Sequence, residues 1–528
     1  MQQKIQQAIQ LYQRGYQQQA EQLCKMILAD YPRQPDALLL MGVLEKDRGS
    51  LETARQLFQK GLKTAPRNLH LLNNIGSVEK MLNESAKSEA HFKQALKIDP
   101  GYYQARHNLA DLYESQHKYP LAKRLYRDVI KQQPKFVDAL ANLSAILEKE
   151  HQLDEAKSLA KQALEINPEH FIARLTLASI ATREKSFDNV IGLMLPLMQS
   201  QKLSPVNFAV AGGKCAYAHE MMQNYEAAFS FYQGSNQALH QAYAAQMQNT
   251  DSPYAPDSVR HVEKAIQYFD FTHNTGDTAS PVFLIGFPRS GTTLIDQILS
   301  SHSQVTVIEE RENLIDAHLR FPATDTGLKE LDKANDSELK KLRHKYWRNL
   351  DRETDRLKMM PVIIDKYPLN AVSLLHIYKL FPNAKIIVAL RDPRDCVFSC
   401  YQQRFGLNPA MFQLLNLDTA VTYYDQVMNI IIKMRDTGVL PMHFVRYEQI
   451  VEDFAGEMRA LTDFLGLGWE DSLFDYQTTA KSRYISTPSA SQVIQPLYRS
   501  SIGKWKHYQQ WIGLSFEPLH RWVEEWGY

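Results

Sequence analysis

Residues Pro281 to His302 read PVFLIGFPRSGTTLIDQILSSH and hold the densest candidate chemistry in the sequence. Val282-Phe283-Leu284-Ile285 is short, apolar and β-prone, the pattern of a buried strand. It stops at Gly286. Phe287-Pro288-Arg289-Ser290-Gly291-Thr292-Thr293 follows, and from Leu294 the apolar residues return at helical spacing, at Ile295, Ile298 and Leu299. A strand, a glycine-bearing loop and a helix make a phosphate cradle, because backbone N–H groups and the positive helix end face an anion. Gly286 and Gly291 keep the glycine spacing of the nucleotide-hydrolase loop G-x-x-x-x-G-K-[ST], but Thr292 stands where the lysine belongs. That lysine reaches the terminal phosphates of ATP or GTP. Here the one strong cation is Arg289, placed before the second glycine. The pattern predicts a different phosphate ester, held by Arg289, Ser290, Gly291, Thr292 and Thr293; an ordinary tight turn is the alternative.

Further polar residues stand where other apolar runs stop. Val305-Thr306-Val307-Ile308 ends in Glu309-Glu310, and PVIIDKYP (361–368) ends in Asp365-Lys366. Ile386 to Leu390 precede Arg391, with Ser399 on the helix beyond, and MHFVRYEQIVEDF (442–454) turns from strand to helix at Tyr447. Arg289, Glu310, Lys366, Arg391 and Tyr447 thus each fall at or just after the carboxyl end of a predicted strand. Ligands of open α/β sheets bind at that edge, whereas a chance set of polar residues would scatter over both.

The elements that position these residues occupy only the second half of the chain. At 528 residues two or more domains are expected. A formal net charge of +1 gives no reason to expect a nucleic-acid or polybasic membrane binder. No apolar run approaches the ~20 residues that span a bilayer. The polar, glutamine-rich start MQQKIQQAIQLYQRGYQQQ is no signal peptide, so a cytoplasmic protein is expected. Cys24, Cys215, Cys396 and Cys400 are scattered, and neither a disulfide framework nor a metal site is expected.

The first half repeats. Pro32, Pro66, Pro100, Pro134 and Pro168 recur every 34 residues, the period of the tetratricopeptide repeat, a helix–turn–helix unit. Small residues obey the same period at Ala8, Gly42, Gly76, Ala110 and Ser144, and again at Ala20, Ala54, Ser88, Ala122 and Ala156. Phe58, Phe92 and Tyr126 supply a large residue in step, with Cys24 and Ala160 weaker. Leu177, Ala178 and Val190 indicate a degenerate sixth unit. Tyr225, Ala228 and Tyr232 indicate a seventh, about four residues out of phase. Stacked repeats expose a concave surface lined by first helices. Asn74, Asn108 and Asn142 recur there, and side-chain amides can pair with an extended peptide backbone without reading its sequence. This ladder is similar to that of the repeat domain of O-GlcNAc transferase; a solvated polar face is the alternative.

PRSGTTL resembles the 5′-phosphosulfate loop of sulfotransferases that use 3′-phosphoadenosine 5′-phosphosulfate (PAPS), and among these the tyrosylprotein sulfotransferases. The resemblance implies that Glu310, at the family's distance from Arg289, is the catalytic base. A phenol with pKa about 10 needs such a base at neutral pH. Asp365-Lys366-Tyr367-Pro368 resembles the family's N-K-D-P segment, which makes Lys366 the cation that stabilises the transferring group. Arg391 and Ser399 stand eight apart, as in the 3′-phosphate motif, and a guanidinium fork with a hydroxyl suits that phosphate. The family's further arginine falls at Gln403, with Arg404 one place late. Tyr447 matches a nucleotide-contacting tyrosine. SASQVIQPLYRSSIGKWKHY (489–508) resembles the segment carrying a transfer-assisting serine, here Ser489, and a donor-binding lysine, here Lys504. Ser491 and Gln495 depart from its aspartate and lysine.

The expected protein is multidomain: an all-α tetratricopeptide repeat solenoid (1–240), a connecting helix and linker (241–276), and an α/β, P-loop-like sulfotransferase domain with a parallel sheet (277–528). The expected reaction moves a sulfuryl group from PAPS, without a metal, to a hydroxyl. A protein tyrosine is the first choice, its protein held in the repeat groove. Neither nucleic acid nor membrane is an expected partner, and an oligomer is left open. The alternatives are transfer to a small molecule or glycan, and a scaffold whose second half only binds nucleotide. Lys329 to Asp355, charged and helical in pattern, has no assigned role.

Overall fold

The structure, a computed structural model, describes residues 1–247, 251–272, 279–351, 361–482, 499 and 501–528. The chain divides into two compact units, Met1–Gln199 and Ser200–Tyr528. The expected boundary at residue 240 falls inside helix Tyr225–Met247. The pair Pro205–Met221 and Tyr225–Met247, read from sequence as the last repeat, thus belongs to the second unit.

The first unit is six antiparallel helix pairs, from Gln2–Gln13 with Gln17–Asp30 to Phe171–Arg183 with Phe187–Gln199. The periodic small residues do what their size allows. A Cβ on Gly42 would lie 2.3 Å from the Phe58 ring, and one on Gly76 would lie 2.7 Å from Phe92. Phe58 and Phe92 of the second helices therefore fill the space that a glycine leaves on the first. The turn inside each pair needs a left-handed residue. Gly15, Gly49, Asn83, His117, His151 and Lys185 supply it at φ between +56° and +85°, all in one 34-residue step. Only the first two are glycines, so this period is faint in the sequence. The corresponding residue of the pair 205–247 is Gln223, four beyond the step, which accounts for the phase slip read from Tyr225.

The second unit is built on five strands: β1 (Val282–Gly286), β2 (Val305–Glu309), β3 (Val362–Lys366), β4 (Ile386–Leu390) and β5 (Met442–Arg446). They lie in the order β2-β3-β1-β4-β5 with every pairing parallel. A parallel sheet is covered on both faces. On one, Val282, Leu284, Ile387 and Ala389 meet Leu294 and Ile298 of helix Thr292–Leu299 and Leu461 of helix Phe454–Leu465. On the other, Phe283, Ile285, Ile386 and Val388 pack with Tyr423, Val427 and Ile431 of helix Leu417–Thr437. Within the unassigned charged segment, residues 329–332 end helix Asp325–Asp332 and Asp336–Asp351 form a helix whose Leu339, Leu342 and Tyr346 join the second face. Among the described residues no helix is long and apolar enough to cross a membrane.

Candidate active site

β1 is the central strand, and the loop after it opens at the carboxyl edge between β3 and β4. Gly286 has φ +155°, and a Cβ there would lie 2.6 Å from the Ala389 carbonyl oxygen of β4, so no side chain fits. Gly291, at φ +104°, caps helix Thr292–Leu299. The first N–H groups of that helix have no intrahelical acceptor, which suits an anion. The Ser290 hydroxyl is buried at the same place with no hydrogen-bond partner among the described residues. Thr292 and Thr293 are buried beside it. Cys396 and Cys400, one helical turn apart, brace the loop from helix Pro393–Gln402. Both thiols donate to the Pro288 carbonyl, at 3.3 and 3.0 Å. Burial raises the Cys400 pKa well above the usual thiol range, so it is an inert thiol.

Register then sets the carboxylates and the lysine. β2 and β3 align Glu309 with Lys366, and the Glu310 N–H donates to the Lys366 carbonyl at 2.8 Å. Lys366 is fully buried, and its ammonium donates to Glu309 Oε1 at 3.2 Å and Glu310 Oε1 at 3.0 Å. Asp296 Oδ2, on the loop helix, stands 3.8 Å away. Three acidic neighbours hold the buried ammonium, whose isolation in a dry interior would cost several kcal/mol. The Glu310 side chain keeps a third of its exposure, so the carboxylate can meet an incoming group. Asp365, pointing the other way, accepts from Tyr346 Oη at 2.7 Å and Asn313 Nδ2 at 3.1 Å. Burial pushes its carboxyl up to about 6, against those two hydrogen bonds.

The other half of the edge holds Arg391, Ser399 and Tyr447. Arg289 Nε donates to Ser399 Oγ at 3.1 Å, which joins the β1 loop to the helix after β4. Arg391 is buried. Its guanidinium donates to the Arg289 carbonyl at 3.3 Å and the Ser501 carbonyl at 2.6 Å, and its Nε has no partner among the described residues. It lies over the Tyr447 ring at 5.3 Å, and the same ring sits 3.4 Å from where a Gly291 Cβ would be. Tyr447 Oη and Ser501 Oγ are 2.8 Å apart. Arg289 and Glu310 have φ of +70° and +46°; they are the described non-glycine residues beyond 223 in the left-handed region. That conformation costs on the order of 1 kcal/mol or more at each, and such outliers gather at functional sites.

The structure therefore brings Arg289, Ser290, Gly291, Thr292, Thr293, Glu310, Lys366, Arg391, Ser399 and Tyr447 to one edge. Ser489, with Ser491 and Gln495, lies outside the described residues. Lys504 is bonded elsewhere: its ammonium is 2.6 Å from Glu220 of helix Pro205–Met221. Arg404, one place past the position of the family's further arginine, faces the helix pair 205–247. It donates to Asn236 Oδ1 at 2.8 Å and to the Ala209 carbonyl at 3.3 Å. In the repeats the asparagine donors are already engaged, two of them between neighbouring units. Asn108 Nδ2 donates to Asn73 Oδ1 at 2.8 Å, and Asn142 Nδ2 to Asp111 Oδ1 at 3.0 Å. Asn74 Nδ2 donates back to the His70 carbonyl at 2.9 Å. The ladder thus also fastens repeat to repeat. Sequence reasoning missed Glu309, Asp296 and Ser501, whose roles depend on register or on contacts far along the chain.

The carboxylates at this edge, Glu309, Glu310 and Asp296, surround the Lys366 ammonium, and the remaining side chains are cations and hydroxyls. Phosphate oxygens fit this edge, since buried Ser290 Oγ and Arg391 Nε have no partner among the described residues.

Residues 281–471 match the sulfotransferase family, and residues 84–147 and 137–170 match tetratricopeptide repeats. An uncharacterized protein of Aquifex aeolicus is 32% identical over 252 residues, 45% of this chain and 32% of its own length. Protein-tyrosine sulfotransferase A of Caenorhabditis elegans is 25% identical over 242 residues, 43% of this chain and 61% of its own length. Protein-tyrosine sulfotransferase 1 of Danio rerio is 28% identical over 240 residues, 42% of this chain and 65% of its own length. The chain spans less than two thirds of each of these relatives. Among solved structures, a tetratricopeptide repeat protein from Parabacteroides merdae aligns with TM-score 0.37 at 15% identity, over 45% of this chain and 92% of its own.

Proposed function

We propose, from the match of residues 281–471 to the sulfotransferase family and of residues 84–147 and 137–170 to tetratricopeptide repeats, that this chain moves a sulfuryl group from PAPS to the hydroxyl of a protein tyrosine. The observation that carries the reading is the Glu310–Lys366 pair beside a loop whose buried serine hydroxyl has no partner among the described residues. The loop 286–293 would hold the 5′-phosphate, and Arg391 with Ser399 the 3′-phosphate. Glu310 takes the phenolic proton as the acceptor oxygen bonds to sulfur. The bond from sulfur to the bridging oxygen breaks, and 3′,5′-adenosine bisphosphate leaves with that electron pair. Lys366 and Arg289 oppose the negative charge that gathers on the sulfuryl and bridging oxygens, the kind of fixed electrostatic help that is usually the largest catalytic contribution. Ser489 would assist the same charge.

Transfer of sulfur-35 from labelled PAPS into a cell extract tests this, with Glu310→Gln as control and proteins separated from small molecules. Label recovered as sulfotyrosine on protein is the expected result. Label on small molecules or glycan alone overturns the acceptor and keeps the transfer chemistry. No transfer, with 3′,5′-adenosine bisphosphate still bound, favours a nucleotide-binding scaffold.

We assign the concave face of the repeats to the protein acceptor. Asn108→Ala with Asn142→Ala is expected to raise the acceptor KM and leave donor affinity unchanged. Because both amides also bridge repeats, a loss of about 1 kcal/mol of stability each is expected alongside. An unchanged acceptor KM would remove these residues from the groove.

A further inference from the structure

The helix pair Pro205–Met221 and Tyr225–Met247 reads in sequence as a drifting repeat, yet it is tied by polar contacts to both walls of the donor edge. The first tie is a buried carboxylate. Glu220 is 4% exposed, and it gathers three donors from two remote segments. Lys504 Nζ reaches its Oε1 at 2.6 Å; Tyr508 Oη and Gln402 Nε2 each reach its Oε2 at 2.7 Å. The second tie runs through Asn236, whose Nδ2 donates to the Tyr401 carbonyl at 3.0 Å while its Oδ1 accepts from Arg404.

The segment from Ser501 to Tyr508 is thereby held at both ends and in the middle. Its first residue touches the donor edge, where the Ser501 carbonyl accepts from Arg391 and its hydroxyl meets Tyr447. Its centre is bound to helix Pro393–Gln402: the Gly503 and Trp505 N–H groups donate to the Asp395 carboxylate at 2.5 and 2.9 Å. Its last residues end on Glu220. A buried carboxylate with all its partners satisfied fixes a geometry, and removing it leaves an ammonium, a phenol and an amide without their acceptor.

We propose that Glu220 is a positioning residue for donor binding, acting through the 501–508 strap to set Arg391 and Tyr447, so that the helix pair 205–247 is a working part of the transferase unit. This rests on the reading that Arg391 and Tyr447 bind the donor. The strap leaves Glu310 and Lys366 untouched, so the effect falls on donor affinity and spares the chemical step.

The test is binding of 3′,5′-adenosine bisphosphate by calorimetry to full-length wild type, Glu220→Gln, Glu220→Ala and Tyr508→Phe, with transfer kinetics beside it. Expected is a Kd raised about tenfold or more in Glu220→Ala and less in Glu220→Gln, which keeps one acceptor oxygen. Donor KM rises in step, and kcat at saturating donor changes less than twofold. Tyr508→Phe keeps the ring packing and loses one donor to Glu220, so a smaller rise in Kd is expected there even if Glu220→Ala fails to fold. Folded variants with lower thermal stability and wild-type Kd would overturn the positioning role while leaving the proposed activity standing. Failure of wild type to bind the bisphosphate would overturn both.

Discussion

Lys366 and Glu310 hold each other twice: the ammonium lies 3.0 Å from Glu310 Oε1, and the Glu310 N–H donates to the Lys366 carbonyl at 2.8 Å. Glu310 also sits at φ +46°, where few residues other than glycine settle. A proposed base and a proposed electrostatic partner are therefore fixed by backbone as well as charge, before any substrate arrives. Glu310→Gln keeps the shape and removes the basicity. Turnover is expected to fall at least a hundredfold, the usual contribution of general base catalysis, while bisphosphate binding stays within twofold. A loss of binding equal to the loss of rate would move Glu310 out of the chemical step.

Arg391→Ala should do the reverse. Its guanidinium donates to two carbonyls, and its buried Nε has no acceptor among the described residues, an arrangement that a phosphate oxygen would complete. Charge-assisted hydrogen bonds contribute about 1.5–3 kcal/mol, so a ten- to hundredfold rise in the donor Kd is expected. Calorimetry on the variant checks it.

In the repeats, Gly42→Ala sets two effects against each other. Alanine gains about 1 kcal/mol of helix propensity over glycine. Its Cβ would also lie 2.3 Å from the Phe58 ring, and overpacking costs about 1–3 kcal/mol. Packing is expected to win, with a lower unfolding midpoint for the repeat unit. Adding Phe58→Leu should turn the glycine substitution neutral or stabilising, and donor binding should not change. An additive double variant would show that the ring has room to move.

Stability should also depend on pH through a buried histidine pair. His318 and His376 have ring centroids 4.4 Å apart; His318 Nε2 and Ser373 Oγ are 3.0 Å apart, and His376 Nε2 and the Phe321 carbonyl oxygen 2.8 Å. Burial holds His376 down at about 4 and His318 well below its ordinary value of 6.5. A folded-state pKa below the unfolded one gives stability that is present above about 6.5 and is lost as pH falls toward 4. For His376 the loss is roughly 3 kcal/mol. Asp365 works in the opposite sense. Burial raises it to about 6, so the folded state takes up its proton first and gains as pH falls through 6. Urea midpoints at pH 7, 5.5 and 4.5 should therefore fall more steeply for wild type than for His376→Gln. Parallel curves would mean that the pair stays charged or exposed.

The sequence by itself determined what is local and periodic. A 34-residue period survives in prolines and small residues because every repeat faces the same packing problem. The five strand ends are legible because a buried parallel strand must be continuously apolar and must stop where a polar side chain is needed. The loop could be read as a phosphate cradle from two glycines and a missing lysine. Tertiary structure alone decided the rest. That Glu309 stands opposite Lys366 follows from the register of β2 on β3, across an intervening helical segment no spacing rule counts through. That Lys504 and Arg404 turn to the helix pair 205–247 follows from Glu220 and Asn236, remote residues of ordinary type in helices that look like repeats. The asparagines show the same limit from the other side: their period was plain, but whether an amide faces a groove or its neighbour depends on how one helix leans on the next. Local pattern records what each element must bury, and only the assembled core fixes which polar groups it brings within reach of one another.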